Sequence, residues 1–389
     1  MATRPPGASR DKVGLLGVIR QVHAWTGFAL SLVIAIVSLS GAALVYKQEW
    51  LKLTVPGAGR SVTPDVRASA AAATAAESAF GPTAVRSVVL ASPDFGLHQV
   101  YLRDEGGAYL DPRNGRVVQR WRENERAVDL LFDLHHHLLA GKTGTRISGW
   151  IGVAATLMVL TGLMVWAPAA RSFRGVVAPR SLKRAGLLAA HRDLGVMAAP
   201  VVLVLALSGA AVALPEVARP MLVATAGAKP PTLPPDTGDR PSVDWTQAVG
   251  AAQTLFPDAE LRVLVWSGKT GAPVEVRLRQ PGEWHANGRT VVWTESTGAL
   301  LAADDAQAQK LGVRLFNSFW PVHASKVGGL LWKTTAFLAG LSLAALSLFG
   351  AESFRRRLFR PNRAKTGRSG PWARKRREVT PSGDRQTLV

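Results

Sequence analysis

The 389-residue chain has no cysteine. That excludes disulfides, iron–sulfur clusters, thiolate metal sites and the Cys-x-x-Cys-His attachment of c-type haem, so a redox cofactor would have to be held by histidine or without a covalent link. No Gly-x-Gly-x-x-Gly stands between a strand pattern and a helix pattern, which argues against a built-in nucleotide or flavin site. Acidic residues are scarce beside basic ones, 27 against 47, leaving a net charge of +20. Charge of either sign is missing from residues 24–46, 147–167 and 194–214, and residues 327–350 hold only Lys333. Each stretch is long enough to cross a hydrocarbon core of about 30 Å, which takes roughly 20 residues. Four such stretches predict an α-helical integral membrane protein with spans at 23–46, 147–167, 193–214 and 327–350. The first span is longer than the apolar region of a signal peptide and lacks a small-x-small cleavage site, so it reads as a retained helix.

The placement of the positive charge orients these spans. Residues 1–22 carry +3, the link 171–192 carries +6 and residues 351–389 carry +9, together 18 of the 20 net charges. All three segments fall on one side of a four-span chain, while 47–146 and 215–326 are near neutral. The positive-inside rule puts the first three in the cytoplasm: the N-terminus 1–22, the loop 168–192 and the tail 351–389. The neutral segments 47–146 and 215–326 are then periplasmic, in a bacterial inner membrane. The basic tail, with Arg355-Arg-Arg and Arg374-Lys-Arg-Arg, is read as lying against anionic lipid rather than nucleic acid.

The chain repeats itself. His23-Ala-Trp-Thr-Gly27 precedes Ser38-Leu-Ser-Gly-Ala-Ala, and His191-Arg-Asp-Leu-Gly195 precedes Ala206-Leu-Ser-Gly-Ala-Ala. Gly41 follows His23 by eighteen residues, as Gly209 follows His191. Eighteen residues are five turns at 3.6 per turn, so each His shares a helix stripe with its distal glycine. The other spans correspond too: His135 precedes Gly162, and His323 precedes Gly350, by twenty-seven residues. Both copies cross the membrane in the same order, which makes them parallel repeats about an axis along the membrane normal.

Each outer segment reads as a small α+β module. The first offers a helix over 64–79, alternating runs at 84–90 and 97–103, and a hairpin turning at Gly115. The second offers a helix over 243–256, strands at 261–266 and 274–279, and a hairpin turning at Gly298. Each is small enough to need its neighbour or the membrane to complete a core. Between them, residues 228–241 are Pro-rich and read as an extended linker. Trp50, Trp150, Trp166, Trp320 and Trp332 fall near expected membrane edges and read as interfacial anchors.

Four of the eight histidines stand at equivalent ends of the spans, His23 and His191 inside, His135 and His323 outside. A lone histidine there could be satisfied by a neighbouring helix, but two symmetric pairs point to ligation, because ionisable groups at membrane depth are costly unless used. In the run His135-His136-His137, His135 lies within about 50° of the face formed by Leu131, Leu134 and Leu138. His136 and His137 point away from that face and read as solvated, with a surface zinc or copper site as the alternative for the triplet. His98 and His285 read as surface residues. Paired imidazoles from facing helices, without cysteine, suit haem b with two axial histidines, whereas zinc would want three or four ligands at one place. Arg20, Arg192 and Lys326 are candidate partners for haem propionates.

The order of these elements resembles the PepSY-associated transmembrane family: His-x-x-x-Gly, the turn Asp111-Pro-Arg-Asn-Gly115, Leu134-His135-His-His-Leu-Leu-Ala-Gly141, and Thr161-Gly-Leu-Met-Val-Trp166. The likeness runs over nearly the whole chain. It implies PepSY-like outer modules and two haems b, with His23 and His191 as inner ligands and His135 and His323 as outer ones. Some members are ferric-siderophore reductases of iron uptake, which implies electrons drawn from a cytoplasmic donor and delivered to a ferric-siderophore in the periplasm. A haem-free member that binds a peptide, protease or transporter is the alternative. The topology is tested by fusing a reporter active only in the periplasm after Val389. It is expected to be silent, and activity there would invert the orientation.

Overall fold

The computed structural model describes residues 10–103, 106–122, 124–223, 243–266 and 273–359; the expected linker 228–241 and the tail past 359 lie outside these residues. The chain begins with helix α1 (Arg10–Val45), a short α2 (Lys47–Thr54) and α3 (Val66–Phe80). Four strands follow, β1 (Val85–Val89), β2 (His98–Leu102), β3 (Gly107–Leu110) and β4 (Val117–Trp121). A short α4 (Ala127–His137) then leads into α5 (Gly141–Trp166), which a 3-10 turn, Ala167–Ser172, extends. The same order occurs again: α6 (Arg184–Ala213), α7 (Pro215–Val223), α8 (Trp245–Leu255), β5 (Glu260–Val265), β6 (Val274–Arg279), β7 (Thr290–Thr294), β8 (Leu300–Asp304), α9 (Leu311–His323) and α10 (Gly329–Leu358).

Helices α1, α5 with its extension, α6 and α10 are apolar and long enough to cross a membrane, so the chain is a multi-pass membrane protein. Their apolar helical stretches run for 30 or 32 residues, longer than the spans read from hydropathy. The backbone ladder satisfies itself from turn to turn and has no reason to stop at the lipid boundary. Asp65 and Asp244 cap α3 and α8, accepting from the backbone N–H groups of Ala68 and Gln247.

Two small outer modules were expected, each needing its neighbour or the membrane to complete a core; all eight strands form one antiparallel sheet, in the order β4-β3-β2-β1-β5-β6-β7-β8. The join is the antiparallel pairing of β1 with β5, the first strand of each half, with Val88 opposite Leu264. Pairing the two equivalent edges removes both from solvent. Helices α3 and α8 lie side by side on one face, and their small residues Ala73, Ala76 and Ala252 share a core with Val88, Val100, Leu264 and Val276. Glu77 of α3 ties the halves together by accepting from the indoles of Trp245 (3.0 Å) and Trp266 (2.7 Å) of the second half. The opposite face turns toward the bundle.

Two histidines expected at the surface are buried. His98 lies in phase with Val100 on β2, is 1% exposed, and accepts at Nδ1 from the Ala91 N–H. His285 is 8% exposed and stacks on Trp320 at 4.5 Å, while its Nδ1 accepts from the Asn287 N–H. Burial pushes His98 down to about 4 and His285 down to about 3, the latter with Arg289 and Arg277 beside it. Trp320 is accordingly packed against the sheet's β6–β7 loop rather than being only a lipid anchor.

Replacing Glu77 by Ala leaves two buried indole N–H groups without an acceptor, each worth about 1–3 kcal/mol. Urea unfolding of the full chain, followed by tryptophan fluorescence, should show a clear loss of stability in Glu77→Ala and a smaller one in Glu77→Gln. An unchanged midpoint would remove Glu77 from the join.

Candidate cofactor-binding site

Each of the four membrane-edge histidines lies against a glycine of another helix. His135 on α4 sits over Gly41 of α1, and His323 on α9 sits over Gly209 of α6. His23 on α1 sits over Gly162 of α5, and His191 on α6 sits over Gly350 of α10. The spacings of eighteen and twenty-seven therefore mark seats exchanged within each half: a glycine receives the histidine of the neighbouring helix, not the one on its own stripe. A Cβ at Gly41 or Gly209 would fall 2.6 or 2.5 Å from an imidazole Cε1, and at Gly162 or Gly350 3.1 or 3.0 Å.

The missing Cβ lets each ring approach its neighbouring helix, and three of the four reach a main-chain carbonyl one turn before the glycine. His135 Nδ1 donates to Val37 O at 2.8 Å, His323 Nδ1 to Leu205 O at 2.9 Å and His191 Nδ1 to Leu346 O at 2.9 Å. His23 Nδ1 lies 3.1 Å from Thr161 Oγ1, whose hydroxyl donates to Leu157 O, so this ring donates to the threonine oxygen. With Nδ1 carrying the proton, Nε2 keeps its lone pair, the tautomer a metal ligand needs. None of the four Nε2 atoms makes a hydrogen bond among the described residues.

The rings meet across the two halves. The centroids of His23 and His191 are 6.3 Å apart, with planes at 73°. Those of His135 and His323 are 5.9 Å apart, with planes at 20°. Two imidazoles bonded through Nε2 to opposite sides of one metal ion, at about 2.0 Å each, place their centroids roughly 6 Å apart. Both pairs have that spacing. Among the described residues no group of three or more His, Asp or Glu could hold a metal ion. A metal at either pair would need its remaining ligands from a cofactor. His136 and His137 are half-buried rather than solvated: His136 stacks on Phe132 (5.4 Å), and His137 Nδ1 lies 2.7 Å from Thr145 Oγ1.

The short helices place the outer pair. Leu138, Leu139 and Gly141 take positive φ between α4 and α5, as do Ser325, Gly328 and Gly329 between α9 and α10. These breaks fold α4 and α9 back over the bundle end, which periodicity alone did not indicate.

A cavity of about 750 Å³ surrounds the outer pair, within the range of small-molecule and cofactor sites. Its floor is made of small residues such as Gly41, Gly152, Gly209 and Ala339; its roof is the bundle-facing side of the sheet. Five cationic side chains line it, Lys47, Lys326, Lys333, Arg262 and Arg279, against two acidic ones, Glu49 and Asp94. Lys333 pairs with Glu49, and Lys326 donates to Gln48 Oε1 at 2.8 Å. Burial, with Lys333 and Lys47 nearby, lowers Lys326 to about 8. Lys333 was visible beforehand as the lone charge of its apolar run; Lys47, Arg262 and Arg279 carried no such signal. Of the expected propionate partners, Lys326 lines this cavity. Arg192 is committed to fully buried Asp193 (2.8 Å) and to Ser172, a clamp in which Asp193 also accepts from the Arg174 and Val176 N–H groups. Arg20 is exposed on α1.

A family model described as the PepSY-associated TM region matches residues 20–357. No curated protein matches the chain. The glycine seats are tested by adding one methyl group. Gly41→Ala and Gly209→Ala should displace the outer imidazoles at a cost of about 1–3 kcal/mol, whereas Gly162→Ala and Gly350→Ala should cost less. Thermal unfolding of the detergent-solubilised protein checks the ranking, and equal midpoints for all four variants would contradict it.

Proposed function

This chain belongs to the PepSY-associated transmembrane family, and we propose that it is an inner-membrane electron carrier holding two haems b, one at each imidazole pair. Electrons enter from a cytoplasmic donor and leave to a ferric-siderophore in the periplasm. The observation that carries the proposal is the pairing itself: four anchored imidazoles, each with Nε2 free, facing each other in twos at the spacing of a six-coordinate metal. Haem b held by two imidazoles supplies a one-electron couple at its iron with no open coordination position.

The chain's own residues account for the rest of the fit. The carbonyls of Val37, Leu205 and Leu346 and the hydroxyl of Thr161 fix ring orientation and strengthen the imidazoles as ligands. Gly41 and Gly209 leave the space in which the outer imidazoles sit, and the cavity beside those rings is where a flat group would lie. Lys326, with Lys47 and Lys333, offers charge to the propionates of the outer group. The inner and outer levels are separated by the eighteen residues from His23 to Gly41, about 27 Å of α1 at 1.5 Å per residue. Between them lie Ala198, Val202 and Ala339 of α6 and α10, packed with Leu205 and Leu343. Water is kept out of the path by these aliphatic side chains. In this reading the two halves are parallel repeats, the sheet is their joined PepSY modules, and both chain termini are cytoplasmic.

The test is haem per protein by pyridine haemochrome, with the oxidation of dithionite-reduced protein by a ferric-siderophore as the second measurement. Wild type should hold two haems. His23→Ala or His191→Ala should empty the inner site, and His135→Ala or His323→Ala the outer one, each leaving about half. All four should lose electron delivery, while His98→Gln and His285→Gln keep both haems. If wild type binds none, the chain is instead a haem-free interaction protein, and if all four Ala variants keep two, the four histidines are not the ligands and the proposal fails.

A further inference from the structure

The sheet side of the cavity differs from the bundle side in what it offers. On β5 the register with β6 skips a residue between Leu261 and Val263, so Arg262 occupies a bulge. A bulge of this kind re-aims a side chain out of the ladder. On β1 the register with β2 skips between Val85 and Ser87, at Arg86, and the two positions correspond: Leu90 N–H donates to Arg262 O as Trp266 N–H donates to Arg86 O. Their environments do not correspond. Arg86 is exposed and lies over the Tyr101 ring, whereas Arg262 is 6% exposed and lines the cavity.

A buried guanidinium needs partners, and those of Arg262 are incomplete. Its Nε has no hydrogen bond. Its nearest carboxylate, Glu260, is 3.6 Å away, beyond hydrogen-bond reach, and is shared at the same distance with Arg279. Leaving such a group unsatisfied is costly, so the arrangement is poised for an anion that the free protein does not supply. Trp284, 59% exposed, and Asn287 line the same cavity from the β6–β7 loop.

Resting on the reading of the outer pair as the electron exit, we propose that Arg262 and Arg279 form the substrate subsite, and that it takes an anionic metal chelate through free carboxylate or catecholate oxygens. Arg262 presents a planar fork suited to one such oxygen pair, and Arg279 adds a second positive charge. The same chemistry would suit a propionate of the outer cofactor, so the experiment separates the two sources.

Full-length protein in detergent is dialysed to equilibrium against gallium(III) citrate, an anionic and redox-inert chelate, and against a gallium(III) trishydroxamate without negative charge. Arg262→Gln should weaken gallium citrate binding at least about tenfold and leave the trishydroxamate unaffected. Arg262→Lys should retain part of the affinity, and Arg279→Gln should lose less than Arg262→Gln. Haem content and the midpoint potential of the outer haem should not change in any variant. Gallium citrate binding that is absent in wild type, unchanged in Arg262→Gln, or lost in parallel with the trishydroxamate overturns the subsite. Intact chelate binding with a shifted outer midpoint or lost haem assigns Arg262 to a propionate instead, and also overturns it. Arg262-dependent gallium binding in a wild-type protein without haem would keep the subsite and sink the electron-carrier reading.

Discussion

The seat of an imidazole on a glycine is the constraint from which the rest of the bundle follows. A ring can reach the carbonyl four residues before the glycine only if no Cβ stands in the way, and at Gly41 and Gly209 even one methyl would overlap the ring. Each seat ties a histidine to a neighbouring helix, so four seats brace the helices in pairs within each half. With Nδ1 held, Nε2 of every ring is left without a hydrogen bond, and the rings meet in pairs across the two halves. Stability and ligand geometry thus come from the same hydrogen bond, and a change that loosens one loosens the other.

The sheet is arranged around this bundle by a second consequence of symmetry. The first strands of the two halves, β1 and β5, meet antiparallel. His23 meets His191 and His135 meets His323 across the same division of the chain. Joining the halves makes a broad roof, one face covered by α3 and α8, the other closing the cavity over the outer pair. Neither half could do this alone, since each would expose a sheet edge and half of the shared core.

Symmetry is broken where chemistry differs. The inner imidazole planes are crossed at 73° and the outer ones nearly parallel at 20°. The link between α5 and α6 is clamped by buried Asp193 through two backbone N–H groups and Arg192. Outside, the bulged arginine of the first half is exposed while that of the second is buried against the cavity. An accumulation of cations beside the outer pair and their absence from the aliphatic layer between the pairs give the molecule a direction that the repeated sequence does not.

Local and periodic information was legible in the chain. Runs without charge marked the four spans, because burial in lipid acts on each residue separately. The eighteen- and twenty-seven-residue spacings marked the four histidines and their glycines, because each interval occurs twice along the chain. Strand alternation located most of the sheet within a residue or two. What depended on distant parts of the chain was not legible. That Gly41 receives His135 rather than accompanying His23, that two modules are one sheet, that His98 and His285 are buried, and that Arg192 is spent on Asp193 are all outcomes of which surfaces meet. Such choices rest on which elements pack together once the chain has folded. One chain's pattern names the faces that must be buried, and only the assembled structure decides what covers them.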